Sequence, residues 1–339
     1  MNQDILLSII IPVYNVEPYL ARCMDSIVLQ LCNEVEVLII DDCSPDNSAD
    51  IYEKYEKNYP QVHSIKREKN GKISMARNTG IEKAKGKYCW FVDSDDRIER
   101  NAIYNILTNI KKNPTFDTFF YSFTKVFENG EKRYIQNGTS FNKENGLKWN
   151  DFQKDLIDCK YGYEIWNKIF SVNIIKNNNI RFPRGISYGE DIAFMMLYFQ
   201  YSNKVLVVNH NIYYYILRKD SMMGKSKKNS HLVDMYNNVR YVLRENKIQN
   251  DNQYLLFAKF MQEGMIQSWD IDLYENLRGI SDDEFLHKMT VECLRHPISM
   301  LKYYRKSAIK MLIFCKMIQC AEYNFYKCFL ILKRIARIH

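Results

Sequence analysis

Along the first 125 residues the hydrophobic positions follow two alternating periods. Short apolar runs, SIIIPV (8–13), EVLII (36–40), VHSI (62–65), KYCWFV (87–92) and TFFYSF (118–123), read as strands. Between them lie EPYLARCMDSIVLQL (17–31), SADIYEKYEKN (48–58), SMARNTGIEKAKG (74–86) and ERNAIYNILTNIKKN (99–113), with apolar residues at helical spacing or an exposed helical composition. The third of these opens on a serine suited to a helix cap and closes on Gly86. Strands alternating with helices predict an α/β fold, a mainly parallel sheet with helices on both faces.

A parallel sheet binds its ligands outside the carboxyl ends of its strands. Polar clusters fall there: Tyr14-Asn15 after the first strand, Asp41-Asp42 after the second, and Asp93-Ser94-Asp95-Asp96 after the fourth. Their convergence on one edge says more than any one of them. Beyond residue 125 the pattern loosens. IWNKIFS (165–171), SYGEDIAFMMLYF (187–199), KVLVV (204–208) and NIYYYILRKDS (211–221) stand out among segments rich in Asn, Lys and Gly. From about residue 229 the chain reads as all helical, and no internal repeat is evident.

The 339 residues are 46% hydrophobic and 14% aromatic, ample for a core. Nine scattered cysteines without a C-x-x-C pair argue against a disulfide framework or a thiolate metal site, and fit a reducing, cytoplasmic compartment. The segment MNQDILLSIIIPVY has no basic leader and reads as a first strand rather than a signal peptide. No run approaches the length of a membrane-spanning helix. The net charge of +8 sits entirely in residues 300–339, which hold nine Lys or Arg and one Glu. The neutral remainder disfavours nucleic acid as a partner.

Asp93 and Asp95 follow an apolar strand at alternate positions. Two carboxylates so placed suit a hard divalent cation, Mn²⁺ or Mg²⁺, with water and ligand phosphates completing the shell. Asp is also common in turns and helix caps, so the pair alone does not decide. Glu190-Asp191 stand at what looks like a helix start, where acids are favoured as caps and by the helix dipole.

Taken together, SIIIPVYNVEPYL, EVLIIDDCSPDNS, NGKISMARNTGIEKAKGKYCWFVDSDD and GEDIAF, in this order and spacing, resemble a family 2 glycosyltransferase. The resemblance runs from residue 8 to about 125, continues more weakly to about 222, and stops there. It implies a GT-A fold (Rossmann-like, mainly parallel, helices on both faces) over residues 1–225, with a nucleotide-sugar half (1–125) and an acceptor half (126–225). An all-helical C-terminal region (226–339) would follow. It also implies an inverting, metal-dependent enzyme using a UDP-sugar.

Carried onto this sequence, the resemblance places Pro12, Tyr14 and Asn15 at the nucleoside, with Glu17 beside them. Asp42, with Asp41 as a second candidate, would accept from the uracil ring N–H. Arg77 would approach the nucleotide, flanked by Asn70, Gly71 and Lys72. Asp93 would bind ribose or a metal-bound water, Asp95 would coordinate the metal, Ser94 fills the middle, and Asp96 would cap the next helix or support Asp95. Arg218 and Ser221 would reach the phosphates, although Arg218 also reads as a solvated loop cation. Asp191 is the expected base, with Glu190 as orienter or alternate. Trp166 and Lys168, in a W-N-K element with Asn167, would meet the acceptor, although Trp166 also reads as a core tryptophan.

The expected activity is non-processive, since the Q-x-x-R-W element and membrane spans of processive synthases in this family are absent from the sequence. The expected acceptor is a lipid-linked capsule, O-antigen or lipooligosaccharide intermediate. The basic tail mixes Lys and Arg with Phe, Tyr, Leu and Ile, which suits an anionic inner-membrane surface and a peripheral location there. The same composition suits a helix pair packed on the domain or on a second subunit, which leaves a homodimer open. The rival enzyme reading is a nucleotidyltransferase, which would carry a glycine-rich basic loop where this chain has VYNVEPYL. The other rivals are a non-catalytic binding protein, which predicts loss of Asp95 or Asp191, and a nucleic-acid-binding protein.

Overall fold

A computed structural model describes residues 4–135, 147–148, 164–186, 188–202 and 204–218, with isolated positions 238, 242, 245 and 246. These belong to one compact unit, residues 1–227 with 237–247. Ser221, the expected helical region beyond 246 and the basic tail at 300–339 lie outside the described residues.

The elements run β1 (Leu7–Val13), α1 (Glu17–Val28), β2 (Val35–Asp41), α2 (Ser48–Asn58), β3 (Val62–Lys66), α3 (Lys72–Lys83) and β4 (Tyr88–Phe91). There follow β5 (Arg97–Ile98), α4 (Ala102–Lys112), β6 (Thr118–Val126), β7 (Lys132–Ile135) and β8 (Leu147–Lys148). The last are β9 (Lys168–Ser171), α5 (Val172–Asn177), α6 (Glu190–Tyr198) and β10 (Lys204–Ile216). One sheet runs in the order β3-β2-β1-β4-β9-β6-β10-β5, with β7 on β6 and β8 on β10.

The first four strands are parallel, as their alternation with helices predicts. The rest of the sheet corrects the expectation of a mainly parallel fold. β9 enters antiparallel between β4 and β6, and β10 returns parallel to β6 and antiparallel to β5. A mixed sheet results. KVLVV and NIYYYI are one strand of 13 residues, β10, with register shifts at Val208/Asn211 and Asn211/Tyr213. Such irregularities bend a strand and re-aim its side chains.

Both faces of the sheet are covered. Ile9, Ile11 and Val13 of β1 join a core with Leu20, Met24 and Ile27 of α1 and Ile103, Ile106 and Ile110 of α4. Ile10 points the other way, toward α3. There Gly80 admits it: a Cβ on Gly80 would stand 2.3 Å from Ile10 Cγ2. Further along the sheet, Phe194 of α6 stacks on Phe182 at 4.1 Å between ring centroids, and Phe91 and Phe170 meet it edge-on at 5.7 and 5.5 Å. These rings seat α6 over β4 and β9. Among the described residues, no helix is long and apolar enough to cross a membrane.

Candidate active site

Parallel pairing of β1, β2 and β4 delivers the three polar clusters to one edge. Pro12 is buried within β1, whereas Tyr14 is 51% exposed. Asn15 holds a left-handed backbone (φ 54°) and donates its N–H to Ser44 Oγ at 3.3 Å. Glu17 braces the loop after β2. Its N–H donates to Asp46 Oδ2 (2.8 Å), and its carboxylate accepts from Asn47 N (3.0 Å) and Nδ2 (3.1 Å).

Asp41 and Asp42 differ sharply. Asp41 is buried and spends both oxygens inside the fold, on Ser44 N (2.8 Å) and Tyr52 Oη (3.1 Å). Asp42 turns instead to the loop between β3 and α3. It pairs with Arg67 Nη1 and accepts the Gly71 N–H at 3.1 Å from each oxygen, while its carbonyl accepts Asn70 Nδ2 at 3.0 Å. Lys72 N donates to Asn70 Oδ1 (3.1 Å), and Lys72 Nζ donates to the Gly185 carbonyl (3.2 Å). Helix α3 therefore begins at Lys72, not at the expected cap Ser74, which is buried. Asp42 and Asn70 satisfy N–H groups at its start in place of a capping serine. Arg67 was missed by sequence reasoning. Its available signal was a cation just past the third parallel strand, at the ligand-binding edge.

The three aspartates after β4 also diverge. Asp93 Oδ1 accepts Arg77 Nη2 at 3.0 Å, and its N–H donates to Tyr213 Oη at 3.1 Å. The Asp95 carboxylate pairs with Arg218 Nη2, and its carbonyl accepts Arg22 Nη2 at 2.6 Å. Arg218 lies over the Tyr19 ring, 3.9 Å from its centroid. Asp96 is buried and accepts Tyr213 Oη (2.8 Å) and the Ile216 N–H (2.7 Å). It thus ties the end of β10 to the aspartate turn rather than capping α4, whose cap is Asn101. Ser94 is buried between them. Burial raises the carboxyls of all three aspartates. Arg77 opposes the rise at Asp93; neighbouring aspartates add to it at Asp95 and Asp96.

Arg77 connects the two halves of the site. Its side chain, 2% exposed on α3, holds Asp93 with Nη2 and Asp191 Oδ1 (2.5 Å) and Glu190 Oε1 (3.3 Å) with Nη1. The Phe182 ring lies 5.3 Å from its guanidinium carbon, and its Nε is buried without a hydrogen-bond partner among the described residues. Glu190 and Asp191 open α6 after Gly189, which takes the left-handed conformation (φ 81°), so the helix dipole also favours their charge.

Burial nonetheless pushes the Asp191 carboxyl up to about 7; Arg77 opposes the rise, Glu190 adds to it, and Lys168 opposes it. Lys168 is fully buried, its Nζ donating to the Glu164 carbonyl and to Asn167 Oδ1 (2.7 Å), and burial lowers its amine to about 8. Trp166, the other expected acceptor contact, is 5% exposed. It stacks on Tyr213 and Tyr215 at 4.6 and 5.3 Å, and its carbonyl accepts Trp90 Nε1 at 2.7 Å. Its indole packs as core.

Four carboxylates, Asp93, Asp95, Glu190 and Asp191, thus share two guanidinium groups, Arg77 and Arg218, with the buried Asp96 beside them. The surplus negative charge and the hard oxygen donors of Asp93 and Asp95 suit a divalent cation. Among the described residues no group of three or more His, Cys, Asp or Glu is placed to hold a metal alone. The pair fits an ion whose remaining ligands come from substrate phosphates and water.

The architecture has solved counterparts. A fragment of Staphylococcus aureus TarS, residues 1–349, in complex with UDP-GlcNAc superposes with a TM-score of 0.67 at 21% identity, covering 94% of this chain and 93% of that one. The same fragment with UDP gives 0.63 at 19% identity, covering 94% and 92%. This likeness is one of fold, of the GT-A type. Residues 8–175 match the family model for glycosyl transferase family 2, and the chain carries a glycosyltransferase domain of that family.

Among its relatives, the uncharacterized glycosyltransferase EpsJ of Bacillus subtilis is 28% identical over 68% of this chain and 67% of its own. The poly(ribitol-phosphate) beta-glucosyltransferase of Bacillus spizizenii is 34% identical over 63% of this chain, but the match spans only 32% of that longer protein.

Proposed function

We propose that this domain moves a hexose or N-acetylhexosamine from a UDP-sugar to a hydroxyl of a cell-surface polymer, with inversion, one sugar at a time. The observation that carries the reading is the Arg77 bridge. It joins the aspartate turn that would serve the leaving group to the acidic helix start that would serve the nucleophile. The UDP-GlcNAc complex of TarS and the poly(ribitol-phosphate) acceptor in the relative's name support a UDP-sugar donor and a sugar or polyol-phosphate acceptor. A lipid-linked acceptor presented at the inner membrane face belongs to the same proposal.

In this mechanism Asp191 takes the proton of the acceptor hydroxyl as that oxygen bonds to the anomeric carbon. The bond from that carbon to the diphosphate oxygen breaks on the opposite face, turning an α-linked donor into a β-linked product. A carboxyl titrating near neutrality is matched to this task. Arg77 and Glu190 orient Asp191. Arg218, stacked on Tyr19 beside Asp95, is placed to meet charge developing on the diphosphate. Mn²⁺ or Mg²⁺, held by Asp95 with Asp93, would supply further stabilisation of that charge.

The reading is tested with two variants of the full chain and a panel of UDP-sugars. Asp95→Ala should weaken Mn²⁺-dependent UDP binding in calorimetry. Asp191→Asn should keep that binding and lower turnover by roughly 10²–10⁴-fold. Full turnover in Asp191→Asn removes Asp191 as the base, and no metal-dependent nucleotide binding by the wild type removes the donor assignment.

A further inference from the structure

The loops after β2 and β3 are tied together at the ligand edge, and Arg67 stands at their junction. Its N–H donates to the Asp41 carbonyl (2.9 Å), its carbonyl accepts Cys43 Sγ (2.9 Å), and its guanidinium pairs with Asp42. Gly71 makes the close approach feasible, since a Cβ there would stand 2.7 Å from Arg67 Nη1. A carboxylate offers about four lone-pair positions. The Gly71 N–H touches both Asp42 oxygens and Arg67 takes one, so Asp42 has little left to offer. The Asp42 side chain is only 2% exposed, against 14% for Arg67. Arg67 therefore presents the outward hydrogen-bonding face of this pair.

We propose that Arg67 is a base-reading residue of the donor site; this rests on the UDP-sugar reading above. Asp42 anchors Nη1, and the remaining guanidinium N–H groups turn to the carbonyl oxygen at C4 of the pyrimidine edge. Uracil offers an acceptor there. Cytosine does not: its exocyclic amine would set donor against donor. Sites built on such polar matches reject the mismatched ligand strongly, because a buried group is left unpaired. Arg67 with Asp42 thus selects uridine over cytidine nucleotides.

Calorimetric titration of the full chain with UDP and with CDP, each with Mn²⁺, tests the proposal. The wild type should prefer UDP by at least about tenfold. Arg67→Met should bring the ratio close to one, mainly by weakening UDP. Arg67→Lys keeps the charge pair with Asp42 and guards against a folding defect; it should lose most of the preference while still binding both nucleotides. A ratio unchanged within twofold in either folded variant overturns the role of Arg67 and leaves the donor reading standing. Equal binding of UDP and CDP by the wild type overturns both.

Discussion

A guanidinium that meets three carboxylates at 2% exposure is the unusual residue of this molecule. Arg77 stays charged because Asp191, Asp93 and Glu190 more than offset its desolvation. In return it keeps Asp191 ionisable. Removing it should raise the Asp191 carboxyl further, so the base would be protonated over more of the neutral range. Arg77→Lys keeps one positive charge but loses the planar fork that reaches both sides. We expect roughly 100-fold slower turnover, as for a displaced catalytic group. We also expect the acid limb of the pH–rate profile to move to higher pH; an unmoved limb would show that Arg77 does not tune the base.

The type and place of Arg77 were legible in SMARN, but its partners were not. Asp191 lies 114 positions away, and only packing brings it near. The aspartates were likewise legible as a cluster. Their division of labour, with Asp96 holding β10 and Asp95 facing Arg218, depends on a strand more than a hundred residues on.

At the scale of elements, the parallel half of the sheet was readable because its strands are short buried runs between amphipathic helices. Helix α2 appears at its expected bounds. The contact of α3 with β1 rests on Gly80. Gly80→Ala should destabilise the domain by about 1–3 kcal/mol through overpacking against Ile10, read as a lower midpoint in urea unfolding. A gain in stability, as expected for Ala over Gly in an unobstructed helix, would mean that Ile10 yields freely.

The antiparallel half was not readable. The joining of two apolar runs into β10 and the insertion of β9 between β4 and β6 are settled by pairing across the sheet, not by periodicity within a segment. The start of α3 was misplaced for a related reason: N–H groups at its start are satisfied partly by Asp42, from another strand.

For the whole molecule, a family 2 domain on a mixed α/β sheet accounts for the described residues. The concentration of charge at 300–339 remains as a separate feature of the sequence. We propose that this tail docks on an anionic membrane surface. Full-length protein should float with vesicles containing phosphatidylglycerol, and a chain ending at residue 299 should not. Equal flotation of the two would assign the tail to packing instead.

By itself the sequence determined the parallel βα units, the edge where they deliver polar groups, and the chemical types gathered there. Those features are written in local periodicity and in the order of strands and helices. Only the tertiary structure decided that Asp41 serves the fold while Asp42 faces Arg67, that Trp166 is core, and that one buried arginine spans both acidic clusters. Each depends on contacts between residues far apart in the chain, where burial and charge are set by neighbours the local sequence does not name.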